Sequence, residues 1–143
     1  MDTTGKVNSR QIGGDHYKTS YEHWDLAVNI PLGYLEGCAT KYVARWRKKD
    51  GLKDLQKALH YLDKLIEVGS PYIARTIEVE SEAMKFAYAN KLSPEEAGFI
   101  YLLCSYEIEE DLQRARACLL RMISNEQDPN KPGTPADGGH HAR

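Results

Sequence analysis

The feature that most constrains this chain is a pair of apolar stripes at helical spacing, joined by Asp50-Gly51. Across Gly33–Lys49, the residues Leu35, Cys38, Ala39, Tyr42, Val43 and Trp46 recur at i, i+3, i+4, i+7, i+8 and i+11. That is one face of an α-helix. Across Gly51–Val68, Leu52, Leu55, Leu59, Leu62, Leu65 and Ile66 do the same. Stripes this close in the chain bury themselves most readily against each other, which predicts an αα-hairpin over about 33–68. Trp46 and Leu55 should be buried near the turn, with Leu59 and Leu62 in the core. Asp50 is placed to cap the second helix with its carboxylate.

The outward faces of the hairpin are basic. Lys41 and Arg45 stand one turn apart, Arg47, Lys48 and Lys49 crowd the last turn, and Lys53 and Lys57 follow. Only Asp50 and Asp54 oppose them. Cations at a helix C-terminus sit well against the macrodipole, so a solvated basic knuckle is one reading. A phosphate site is the other, because Lys41 and Arg45 can grip one anion. The net charge of −2 argues against a general nucleic-acid binder. Acids gather instead at 78–111, from Glu78 to Asp111, giving a dipolar chain with room for an anionic ligand at the knuckle.

Glycine and proline punctuate the rest. Residues 1–10 read as a flexible arm. Thr4-Gly5-Lys6 lacks the upstream glycine and the hydroxyl of a Walker loop, Val7 standing in its place. Gly13-Gly14 can present successive N–H groups to an anion, or simply turn the chain. A short helix is expected from Trp24 to Ile30, ended by Pro31. Gly37, inside the first long helix, asks for a close neighbour or a ligand. Ser70-Pro71 starts a helix running to about Asn90, with Ile73, Ile77, Met84 and Ala87 among its inward positions. Ser93-Pro94-Glu95-Glu96 carries a capping box for a helix to about Ser105. A last helix, about Glu107 to Ile123, turns Leu112, Ala115, Leu119, Met122 and Ile123 to one side. No segment alternates as a strand does, so the predicted fold is all-α, a hairpin core with further helices over about 71–123. Residues 125–143 hold three prolines and three glycines without an apolar stripe, and are expected to be a disordered tail carrying His140 and His141.

The three cysteines, Cys38, Cys104 and Cys118, lack metal-type spacing and sit on apolar stripes, so they read as small buried hydrophobes. His16 and His23 have too few donors nearby for a metal site. Met1–Ser20 has no apolar core of a secretory leader, and no run is long enough to cross a membrane, so a cytoplasmic setting is expected.

A resemblance adds to this. Gly13-Gly14-Asp15-His16-Tyr17, Trp24-Asp25, Gly33-Tyr34-Leu35-Glu36-Gly37, Lys41-Tyr42 and Arg45 are followed by Lys49, Gly51, Asp54-Leu55, Lys57-Ala58 and Tyr61-Leu62. Over residues 11–67 this pattern resembles a small phage-encoded domain, the SaV-like domain of unknown function, in a family that includes the nucleotide kinase of T-odd-type podophages. The organisation expected is an arm (1–10), this domain (11–69), accessory helices on the same core (70–124) and the tail. The resemblance implies a phage origin, the cytoplasm of the infected host, a homo-oligomer, and a nucleoside-monophosphate kinase without a Walker loop.

Phosphoryl transfer asks a protein chiefly for positioning and positive charge. On that reading Lys41, Arg45 and Lys57, with Lys48 beside them, supply charge, Gly13 and Gly14 supply backbone donors, and Tyr17 or Trp24 stacks on the base. Asp15, Glu36 or Asp54 would hold Mg²⁺ or orient the attacking oxygen, and His16 or His60 would carry protons. Two alternatives share the same surface: a protein that sequesters a nucleotide without turnover, and a helical module that engages a host protein. A helical pyrophosphohydrolase of the MazG kind would want clustered acids where this hairpin is basic.

Overall fold

In the computed structural model, which describes residues 19–69 and 79–131, each apolar stripe becomes a helix and none of these residues forms a strand. The helices are α1 (His23–Asn29), α2 (Tyr34–Arg45), α3 (Leu52–Val68), α4 (Val79–Ala89), α5 (Pro94–Ser105) and α6 (Glu109–Gln127). The all-α expectation holds. A 3₁₀ turn, Trp46–Lys48, extends α2.

The hairpin forms as its stripes require. α2 packs along α3, α3 against α6, α6 against α5, and α5 back against α2, so four helices close around one core. Val43, Leu55, Leu62, Phe99, Leu103 and Leu119 are fully buried there. Each contributes roughly 1.5–3 kcal/mol of burial. Trp46 is buried as expected, while Leu59 is only half-buried at the margin. α4 lies on α5 and α1, and α1 touches α2. Cys104 and Cys118 are buried and Cys38 half-buried, and none of the three is in a disulfide.

Several boundaries differ from the sequence reading, each for a local reason. α2 tightens into the 3₁₀ turn because the Trp46 carbonyl accepts from Gly51 N–H at 2.9 Å, closing the chain early. Asp50 does not cap α3. The N-cap is Gly51 at φ 60°, ψ −132°, a conformation suited to a residue without Cβ. The carboxylate that answers the turn is that of Asp54, which accepts from Asp50 N–H at 3.3 Å. α6 starts at Glu109 because the Asp111 side chain takes the N–H groups of Glu107 (2.9 Å) and Ile108 (3.4 Å). It continues through Asn125–Gln127, residues that composition assigns to the tail, and Glu126 pairs with Lys131 at 2.9 Å.

Ser93 and Glu96 form the expected capping box. In α4, Ala87 faces inward as expected, beside Ala83 and Phe86, while Met84, also expected in the core, is 59% exposed. Ser70, Pro71, Ile73, Ile77 and the tail from residue 132, with His140 and His141, lie outside the described residues. No described helix is long and apolar enough to cross a membrane.

Candidate functional site

The basic end of the hairpin is sorted by two buried carboxylates. Glu96, at the start of α5, is 1% exposed. It accepts from Trp46 Nε1 at 2.6 Å and from Arg47 Nε at 2.9 Å. The Arg47 guanidinium lies over the Trp46 ring, 4.5 Å from its centroid. Arg47 is thereby drawn toward α5, while Lys48 and Lys49 join Lys41 and Arg45 around a different cavity. Asp54 is fully buried beneath the turn, and its Oδ2 accepts from Arg45 Nε at 3.3 Å. Its Oδ1 has no hydrogen-bond partner among the described residues.

Lys41, Arg45, Lys48 and Lys49 line a cavity of about 250 Å³, closed on the other side by Glu22 and His23, by Phe86 of α4 and by Asn90 just beyond it. α1 is fixed there through Tyr21, whose hydroxyl donates to Glu82 Oε1 at 2.6 Å and accepts from Asn29 at 2.9 Å. Asn90 in turn donates to the Tyr21 carbonyl at 3.0 Å. The His23 ring packs edge-on to Phe86, and its Nε2 lies 2.8 Å from Thr40 Oγ1. Thr40 gives its own hydroxyl proton to the Glu36 carbonyl at 2.8 Å. Nε2 is therefore the protonated nitrogen, which leaves the Nδ1 lone pair as an acceptor. Burial, and then the charge of Lys41, lowers the His23 pKa to about 4, so the ring is neutral at physiological pH.

On the other side of α2, Tyr42 stacks on Tyr61 with centroids 5.8 Å apart. Lys41 Nζ (4.9 Å), Arg45 Cζ (4.8 Å) and Lys57 Nζ (5.4 Å) all approach the Tyr42 ring centroid. Tyr42 and Tyr61 form part of the wall of a groove of about 900 Å³ along α3, with Lys53, Lys57, His60 and Lys64. The structure thus brings Lys41 and Arg45 together, as their spacing suggests, and places Lys57 and His60 in the neighbouring groove.

The remaining sequence candidates fall elsewhere. Glu36 is buried, its Oε2 accepting from Tyr106 Oη at 2.5 Å, and it lines neither cavity. Its Oε1 would lie 2.5 Å from a Cβ on Gly33, so the carboxylate folds back over a position where a side chain would displace it. Asp54 acts through Arg45 and lines neither cavity. Trp24 is 54% exposed on α1 and also lies off both. Gly37 has open space where a Cβ would be, so no close neighbour among the described residues explains it. Gly13, Gly14, Asp15, His16 and Tyr17 lie outside the described residues.

His23 and Glu22 were not singled out as phosphate-site residues by the sequence. Lys48 and Lys49 had a signal: they continue Lys41 and Arg45 at i+7 and i+8. Nothing in the spacing of His23 places it beside these cations, because α1 and α4 complete its surroundings. Among the described residues no three His, Cys, Asp or Glu side chains are grouped to hold a metal. Mg²⁺ needs only one or two carboxylates when it rides on phosphate oxygens, and Glu22 is the carboxylate that lines the cavity.

No curated protein and no solved structure matches the chain. Residues 13–63 match the sequence profile of a family described as protein of unknown function DUF3310, and the matched stretch contains the whole basic hairpin turn.

Proposed function

We propose that this protein binds a nucleotide, holding its phosphate in the cavity between α1, α2 and α4. The observation that carries the reading is the convergence of Lys41, Arg45, Lys48 and Lys49 on one cavity that Glu22 alone among carboxylates lines. Lys41 and Lys48 have no ion pair among the described residues, and like charges gathered on one cavity repel unless an anion joins them. Arg45 keeps its terminal nitrogens for phosphate oxygens while Asp54 holds its Nε. His23 presents an unprotonated Nδ1 that can accept from a ligand hydroxyl or base N–H.

The finer reading is phosphoryl transfer to a nucleoside monophosphate without a Walker loop. The resemblance of residues 11–67 to the SaV-like domain supports it. Gly13–Tyr17 precede, by two to six residues in the chain, Thr19, which lines the cavity. The same resemblance implies a homo-oligomer in the cytoplasm of a phage-infected bacterium. Exposed Trp24 and Val28 on α1 and Met84 and Tyr88 on α4 are apolar surface that such an assembly could cover.

One observation makes His23 a ligand-reading group rather than a proton carrier. A general base works best with a pKa near the working pH, and that of His23 lies near 4. As a neutral acceptor His23 reads a ligand well and abstracts a proton poorly.

Equilibrium binding of nucleoside monophosphates to the parent and to Lys41→Glu, followed by incubation with ATP and Mg²⁺, tests both readings. Lys41→Glu should weaken binding by about tenfold or more, with little loss of stability. Diphosphate product would mean a kinase, and retention without product a sequestering protein. Equal binding by parent and variant would remove the cavity from consideration.

A further inference from the structure

The groove along α3 is unlike the first cavity in size and in what it offers. Its volume of about 900 Å³ lies in the range of roughly 300–1,000 Å³ usual for small-ligand sites. Lys53, Lys57, His60 and Lys64 line it at i, i+4, i+7 and i+11, one face of one helix, and no carboxylate lines it. Lys53 has no ion pair among the described residues. The pairs of Lys57 with Asp50 (4.0 Å) and Lys64 with Glu67 (3.6 Å) are exposed and loose, of the kind worth only about 0–1 kcal/mol.

The aromatic wall is already engaged. Tyr42 stacks on Tyr61 and is approached by three cations, and Tyr34 meets Tyr61 edge-on at 6.2 Å. What remains for a ligand are ammonium groups, the imidazole and the Gln56 amide. These are donors suited to phosphate oxygens more than to a flat base. The lysine row also has ends. Asp50 stands by its start and Glu67 by its finish, about 16 Å of helix separating Lys53 from Lys64. A long polyanion would run past those acids, and the chain as a whole is at −2.

We propose that this groove is a second anion site, shaped for a short polyphosphate such as the tail of a nucleoside triphosphate. Charge complementarity and the bounded lysine row choose a short polyphosphate over a nucleic-acid strand. The site is separate from the first cavity but shares a wall with it, since Lys41 and Arg45 line the cavity while lying over Tyr42, which lines the groove. Where the nucleotide reading of the cavity also holds, the groove takes the phosphoryl donor and the cavity the acceptor.

The experiment is calorimetric titration of the full chain with inorganic tripolyphosphate, ATP, a nucleoside monophosphate and a single-stranded oligonucleotide. Parent, Lys53→Gln/Lys64→Gln and Lys48→Gln/Lys49→Gln proteins are compared, with thermal melts to confirm folding. The groove variant should lose tripolyphosphate and ATP affinity by about tenfold or more, while its affinity for the monophosphate changes by less than about twofold. Similar losses for both polyphosphates mark the phosphate chain as the recognised group, whereas a loss confined to ATP would overturn that. The proposal also fails if the groove variant binds polyphosphate as the parent does, or if the oligonucleotide binds more tightly than either polyphosphate. Should monophosphate binding ignore Lys48 and Lys49 while polyphosphate binding follows Lys53 and Lys64, the cavity reading fails and the groove stands.

Discussion

Replacing Glu96 by alanine removes three hydrogen-bond acceptances at once, and each has a separable cost. The Trp46 indole N–H, bound at 2.6 Å on a residue 6% exposed, would be left buried without a partner, at about 1–3 kcal/mol. The Ser93 N–H, bound at 2.8 Å, loses its half of the capping box, at about 0.5–1 kcal/mol. The Arg47 pair joins a side chain 61% exposed and contributes about 0–1 kcal/mol. Glu96→Ala should therefore destabilise the protein by about 1.5–5 kcal/mol, measured by urea unfolding with an unchanged m-value. Glu96→Gln keeps the shape and one good acceptor and should lose about half as much. Because Glu96 also fixes the turn that carries Lys48 and Lys49, the alanine variant should bind phosphate ligands more weakly at temperatures where it remains folded. A loss below about 1 kcal/mol for alanine, or equal losses for alanine and glutamine, would refute the reasoning.

Three further outcomes are expected. His23 should make the protein acid-sensitive. Its folded pKa, near 4, lies below the unfolded value of about 6.5, so the unfolded state binds the proton first. Stability is unaffected above pH 6.5 and falls as the pH drops toward 4, by up to about 3 kcal/mol. Subtracting the pH profile of His23→Gln from that of the parent should isolate this slope, and identical profiles would contradict it. Gly37→Ala should raise stability by about 0.5–1 kcal/mol, because the position is helical and a Cβ meets nothing; a lower melting temperature would show that something does approach it. Truncation after Glu126 removes the Lys131 pair and no described apolar core residue, so unfolding should shift by no more than about 1 kcal/mol.

The parts legible in the sequence are those encoded by neighbours along the chain. Leu55, Leu62 and Trp46 are buried because their stripes leave them one place to go, and Ser93-x-x-Glu96 caps α5 because both partners lie within one turn. Glu96 shows where local reading stops. Its spacing from Ser93 announces only a capping-box acid, and partners 49 and 50 positions away reveal it as a buried link between the end of the first hairpin helix and α5. Met84 fails for the same reason. One residue of helical phase separates an outward Met84 from an inward Ala83, and the choice is made by α1 and α5 rather than by α4. In the candidate site, Lys41 and Arg45 announce themselves by spacing. Lys57 looked equivalent, yet it lies on the groove face of α3.

The arrangement of charge follows from which cations the acids hold. Every described arginine, namely Arg45, Arg47, Arg114, Arg116 and Arg121, is paired with a carboxylate. Lys41, Lys48 and Lys53 have no such partner among the described residues. The planar guanidinium suits fixed pairing with a carboxylate, whereas an ammonium on a flexible stem stays hydrated and mobile. Asp54 and Glu96 are buried and turned to Arg45 and to Trp46 with Arg47, which leaves Asp50 as the exposed acid of the turn. Burying those acids fixes the turn, and it also takes from the surface the counter-charges that would otherwise neutralise the lysines. The positive potential at both cavities is thus a consequence of how the hairpin is fastened to α5, and a change that loosens the fastening should weaken anion binding even where it touches no lysine.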